Sequence, residues 1–225
     1  MIRRRWLRAQ WPFGTRVLSD RLKELQFTSE AQNGFIVDRL RSNRIEGRFV
    51  ERQEISQTVE SPLGETILYE RIEFRETAFI VAPDRLGLEI INPPRSMSLF
   101  LSRLAEACDF QVAVTEIRVD VTLWCERLSA NLGKQLDIIS CQLRDIKLTE
   151  NITATAVLKG SSDVRQATRL LTDGMPYIND KIKIQVQGSP SQSLILTRHG
   201  SATLDRIASE SLLDPLRDAL YSAAG

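Results

Sequence analysis

Along the chain the apolar positions switch between two periods, and the switches outline the elements. Val17, Leu18, Leu22 and Leu25 recur at helical spacing, so residues 15–42 read as helical, with Ser29 capping a second helix that carries Phe35, Ile36 and Leu40. The period then drops to two. Over 45–59, Ile45, Phe49, Ile55 and Val59 fall on one face, against Glu46, Arg48, Arg52 and Glu54 on the other. Over 66–82, Leu68, Ile72, Phe74, Ala78 and Ile80 share a face. With Ser61-Pro62-Leu63-Gly64 as the turn, these two segments predict a long hairpin, half wet and half buried. Pro83-Asp84 turns the chain once more, into Leu86, Leu88 and Ile90.

Asn92-Pro93-Pro94-Arg95 ends this run of strands, and Ser96 is placed to cap a helix whose stripe is Met97, Phe100, Leu101, Leu104 and Cys108. The segment 110–125 alternates but changes phase. Phe110, Val112 and Val114 have one parity and Ile117, Val119, Val121 and Leu123 the other, which in a strand requires a bulge near Thr115-Glu116. A short helix through Leu128, Leu132 and Leu136 leads to strands at 138–148 and 151–159. Gly160-Ser161-Ser162-Asp163 opens another helix (Val164, Ala167, Leu171) that Gly174 closes. Ile182, Ile184 and Val186 make a strand, Gly188-Ser189-Pro190-Ser191 a turn, and Leu194 and Leu196 the next strand. A C-terminal helix spans about 203–222, restarted at Asp214-Pro215.

Composition narrows the class. With 225 residues, 42% hydrophobic and 26% charged, the chain can bury a sizeable core and is not disordered as a whole. It has no apolar run of the ~18–20 residues that a spanning helix needs. Cys108, Cys125 and Cys141 are odd in number and lack a Cys-x-x-Cys spacing, which fits reduced, packed thiols and a cytoplasmic setting. The net charge of +1 hides an asymmetry, since residues 1–52 carry net +6 and residues 53–225 net −5. Much of the excess lies in Arg3, Arg4, Arg5 and Arg8. Arg3-Arg4-Arg5-Trp6-Leu7-Arg8 resembles a twin-arginine export signal, but no uncharged apolar stretch follows, so export is not expected.

Several short motifs suggest chemistry. Arg198-His199-Gly200 resembles the signature of the histidine phosphatases, in which the His is the nucleophile and the Arg binds phosphate. His199 is the only His, however, so that family's second His is missing, and an ordinary turn at a strand end accounts for the motif. Asp145-Ile146-Lys147 matches half of a metal-dependent nuclease site, with Asp120 or Asp137 as the further carboxylate. The bland alternative is a solvated strand face. Gly160-Ser161-Ser162-Asp163 lacks the Gly-Lys-Ser/Thr ending of a phosphate loop and reads as a helix cap. No cofactor motif is apparent.

The expected architecture is therefore α+β, with antiparallel sheets from long hairpins, helices on one side and two ββαβ-type modules. The expected divisions are a basic arm with helices (1–44), an α+β module (45–136) and a second with a C-terminal helix (137–225). The leading functional expectation is a non-catalytic assembly or adaptor subunit, with a protein partner or self-association. Its contact residues would be Arg3, Arg4, Arg5, Trp6, Arg8 and Trp11, because Arg and Trp are favoured interface anchors. The same residues suit a nucleic-acid-binding alternative, in which Arg contacts phosphate and Trp stacks on bases. A metal-dependent nuclease or hydrolase is the third reading.

Overall fold

The structure, a computed structural model, describes residues 1–64, 66–186, 192–205 and 209–224, the side chains of 209 and 210 excepted. Among these residues the chain forms eleven strands and five helices in an α+β arrangement whose strand ladders are antiparallel. In chain order they are β1 (Ile2–Gln10), α1 (Thr15–Glu24), β2 (Asn33–Arg41), β3 (Arg44–Glu60), β4 (Thr66–Ala82), β5 (Gly87–Ile91) and α2 (Ser98–Ala107). Then come β6 (Ala113–Glu116), α3 (Val121–Leu132), β7 (Leu136–Lys147), β8 (Thr153–Lys159), α4 (Arg165–Thr172), β9 (Ile178–Val186), β10 (Gln192–Thr197), β11 (Ser201–Leu204) and α5 (Ser209–Ala223). None of the helices among the described residues is long and apolar enough to cross a membrane. The chain divides into two compact units, Ala9–Val114 and Met1–Arg8 with Thr115–Gly225. A boundary at 44/45 would cut between β2 and β3, which pair along their length.

In the unit Ala9–Val114 the strand order is β2-β3-β4-β5. The β3–β4 register runs without a slip from Ile45↔Val81 to Glu60↔Thr66, as the alternation predicts for a long hairpin. The turn closes through Gly64 N–H to the Ser61 carbonyl (2.9 Å), with Gly64 at φ 81, a conformation that favours glycine. Burial along β4 departs from the expected face except at Ile80, which is 5% exposed. Thr77, Phe79 and Val81 are buried, whereas Leu68, Ile72 and Phe74 are exposed. The reason is the cross-strand partner: Phe79 lies opposite Gly47, and its ring fills the space that a side chain there would take. Phe35, Phe49, Phe79 and Phe100 then form one aromatic cluster, with centroids 5.1–6.3 Å apart. Leu18 and Leu22 of α1 and Leu104 of α2 are also fully buried.

Two helical expectations in this unit need correction. Residues 33–41 form strand β2, not a second helix, because Phe35 pairs with Phe49 and the tertiary contact outweighs local spacing. Gly34 permits that path, since a Cβ there would meet the Phe27 backbone at 2.5 Å. Helix α2 begins after Met97, and the Ser96 hydroxyl bonds to that of Ser98 (3.0 Å) instead of capping the helix.

In the other unit the strand order is β1-β11-β10-β9-β7-β8. Here the N-terminal arm becomes a strand of the sheet: Ile2, Arg3, Arg4 and Arg5 pair with Leu204, Thr203, Ala202 and Ser201 of β11. The strand expected over 110–125 is short. The phase change marks no bulge; the chain leaves β6 and enters α3, where the Asp120 carboxylate accepts N–H groups from Thr122 (2.8 Å) and Leu123 (3.4 Å). Helix α3 ends at Leu132, with Gly133 in the left-handed region, so Leu136 opens β7 instead of continuing a helix. Residues 201–204 are a strand, and α5 runs through Pro215 without a restart. The expected turn at 188–191 lies outside the described residues. The core joins Trp6 and Trp124 edge to face (5.9 Å), and the Trp124 indole N–H donates to the Leu216 carbonyl of α5 (3.1 Å).

Candidate functional site

The structure places the sequence-chosen contact residues as parts of the fold. Trp6 is 3% exposed and packs on Trp124. Arg5 pairs with Glu116 (2.5 Å), and Arg8 donates to the Ala224 carbonyl (2.6 Å). In the unit Ala9–Val114, Trp11 donates its indole N–H to the Gly87 carbonyl (3.1 Å). Arg3 and Arg4 also have partners. These residues hold a strand and its neighbours; they do not form an extended arm.

The nuclease constellation does not assemble. Asp137 and Asp145 lie on one strand eight residues apart, a separation of about 26 Å at a strand's rise. Asp120 is occupied as the helix cap. Asp145 itself sits at φ 54, where the β7–β8 register shifts between Leu143 and Ile146, so the expected alternation through Lys147 is broken. Among the described residues no group of three or more His, Cys, Asp or Glu is arranged to hold a metal ion. Asp163 precedes the N-cap of α4, Val164, and ties the start of the helix to β7: its carboxylate accepts the N–H groups of Arg165 (2.8 Å) and Ile138 (3.1 Å) and pairs with the Arg165 guanidinium. All three cysteines are free and buried, and burial pushes the thiols of Cys108 and Cys125 up to about 11, away from nucleophilic chemistry.

Two features do stand out. The first is the far half of the β3–β4 hairpin. Pairing with β2 ends at Glu51, and pairing with β5 begins only at Ala78. Arg52 N–H still donates to the Gln32 carbonyl (2.8 Å), and residues 53–60 and 66–77 form a two-stranded ribbon with both outer edges open among the described residues. Such a ribbon is marginal in water without a cover. Its faces differ in chemistry. Directly opposed pairs place Ile55, Val59, Ile67 and Tyr69 on one face, where Glu51 and Glu73 balance Arg71 and Arg75. The other face carries Leu68, Ile72 and Phe74 with Glu54, Glu60 and Glu70 against Arg52, while Glu76 pairs with Arg48 at the base. Large apolar side chains are exposed on both: Tyr69 is 55% exposed and Leu68 60%. At the base, Phe74 meets Phe27 edge to face (6.0 Å) and Arg48 bridges Asp38 and Glu76.

The second is a cleft of about 410 Å³ lined by Arg118, Val119, Asp120, Thr122, Tyr177, Ile178, Asn179 and Arg198. A backbone clasp builds it: Arg198 N–H donates to the Asp180 carbonyl and Val119 N–H to the Arg198 carbonyl, each at 2.9 Å. Gly200, at φ 61, closes the Arg198-His199-Gly200 turn, where a Cβ would press on Ile117 and the Trp6 carbonyl. Sequence reasoning named Arg198 only through its neighbour His199 and missed Arg118, because 80 residues separate the two arginines.

Compared with known proteins, the chain matches no family model, and no curated protein resembles it at a significant level.

Proposed function

We propose that the protein is an assembly or adaptor subunit whose docking element is the β3–β4 ribbon and whose partner there is a second copy of the chain. The observation that carries this reading is the ribbon itself: 17-residue strands that outrun both neighbours and carry exposed apolar side chains on each face. Folding gains little from such an extension unless something covers it. The identity of the cover follows from charge. A face used twice in a two-fold contact must complement itself. The Ile55, Val59, Ile67 and Tyr69 face has balanced charges, and its Arg71–Glu73 pair (2.7 Å) can exchange partners with a copy. The Leu68, Ile72 and Phe74 face has, beyond the Arg48–Glu76 pair, three carboxylates against one guanidinium and repels its own kind. Buried Trp6 and the paired Arg5 and Arg8 lend less support to a nucleic-acid surface at the N-terminus.

Size-exclusion chromatography with light scattering tests the proposal. The wild type is expected to dimerise. Val59→Lys with Ile67→Lys, opposed residues on the balanced face, is expected to give monomers, and Leu68→Lys with Ile72→Lys to leave dimers. A wild type that stays monomeric at high micromolar concentration overturns the reading. So does a dimer broken only by the Leu68 and Ile72 pair.

A further inference from the structure

We propose that the Arg118–Arg198 cleft binds the oxyanion group, phosphate or carboxylate, of a small organic ligand, a function separate from the ribbon. Arg118 and Arg198 line one cavity, and no hydrogen bond or ion pair engages either side chain among the described residues. Elsewhere the chain does pair its arginines: Arg5, Arg21, Arg48, Arg103 and Arg165 all meet carboxylates. Two like charges lining one cavity, with Asp120 the one carboxylate in that lining, repel each other, and a bound oxyanion offsets that cost while using the fork geometry of each guanidinium. The clasp between Val119 and Arg198 fixes both arginines on rigid backbone before any ligand arrives.

The rest of the lining limits the ligand. Asn179 donates its amide N–H to the Thr122 hydroxyl (2.9 Å), while its Oδ1 is buried with no donor. An unmet buried acceptor is destabilising, so a ligand carrying an N–H or O–H group is favoured there. Asp120 contributes negative charge, partly engaged by the N–H groups that open α3. It disfavours a bare anion and favours a ligand that joins the oxyanion to a donor or cationic group. Tyr177, 37% exposed, offers an aromatic wall. A second cavity of about 140 Å³ adjoins through shared Thr122, Tyr177 and Asn179, so the site can take more than the anionic head.

Calorimetric titration at constant ionic strength tests this with three probes: inorganic phosphate, phosphoserine and glutamate. Saturable binding of phosphoserine or glutamate is expected; because both carry an α-carboxylate and an ammonium group, binding of phosphoserine but not glutamate assigns phosphate recognition, and binding of glutamate, with or without phosphoserine, assigns carboxylate recognition. Arg118→Gln, a change at an exposed residue, is expected to weaken it about tenfold or more, as is Arg198→Gln once circular dichroism shows that it folds. Arg16→Gln, in the other unit, is expected to bind as the wild type does. Absence of saturable binding by every probe overturns the proposal, and so does Arg118→Gln binding as tightly as the wild type.

Discussion

Phe100 and Arg48 show how unevenly single residues contribute. The Phe100 ring is 1% exposed and lies within 6.3 Å of three other rings, so Phe100→Ala removes buried area and leaves a cavity. A loss of about 3–5 kcal/mol is expected in urea unfolding. Arg48 makes more hydrogen bonds, to Asp38 and Glu76, and its pKa is raised chiefly by them. It is nevertheless a surface pair in water, and Arg48→Met is expected to cost about 1 kcal/mol or less. The buried thiols act through pH. Cys108 and Cys125 stay neutral in the fold up to about 11, with burial the main cause, whereas an unfolded thiol ionises near 9.0. Between those values the unfolded chain has lost protons that the folded chain keeps, so stability falls as pH rises from about 9 to 11. The urea midpoint should drop over that window, and drop less in the Cys108→Ala, Cys125→Ala variant.

At the scale of elements, the hairpin has two halves with different physics. Near its base, Ile45, Phe49, Phe79 and Val81 are fully buried, so their strands hold through packing. Beyond Arg52 and Phe74 the strands hold mainly to each other. Replacing residues 55–71 by Asn-Gly, which closes Glu54 on Ile72 with a two-residue turn, should therefore cost about 1 kcal/mol or less while abolishing dimers. Light scattering and a thermal melt on the same sample check both halves of that statement. The hairpin's existence, length and turn were legible in the alternation and in Ser61-Pro62-Leu63-Gly64. The burial of Thr77, Phe79 and Val81 was not, because parity in β4 alone cannot show that Gly47 stands opposite Phe79. Strand β2 was misread for a similar reason: Phe35, Ile36 and Leu40 satisfy helical spacing, and only pairing with β3 makes 33–41 extended.

Across the whole molecule, the charge asymmetry takes a different form from the one visible along the sequence. The unit Met1–Arg8 with Thr115–Gly225 carries net +4 and the unit Ala9–Val114 net −3, so the basic N-terminus belongs to one unit and the acidic ribbon to the other. If the copies meet through the balanced ribbon face, apolar contact dominates, and the dimer should persist between about 0.05 and 0.5 M salt. Dissociation at the higher concentration would instead indicate an acidic ribbon held on a basic surface. The sequence by itself determined the α+β class, most strands, the α1 and α2 stripes and the packed state of the cysteines, because these follow from local period and composition. Only the tertiary structure decided that the arginine-rich start is a strand of the sheet, that the hairpin outruns its neighbours and that Arg118 and Arg198 line one cavity. Each of these depends on which distant segments lie side by side, and a periodicity read along one segment carries no record of its partner.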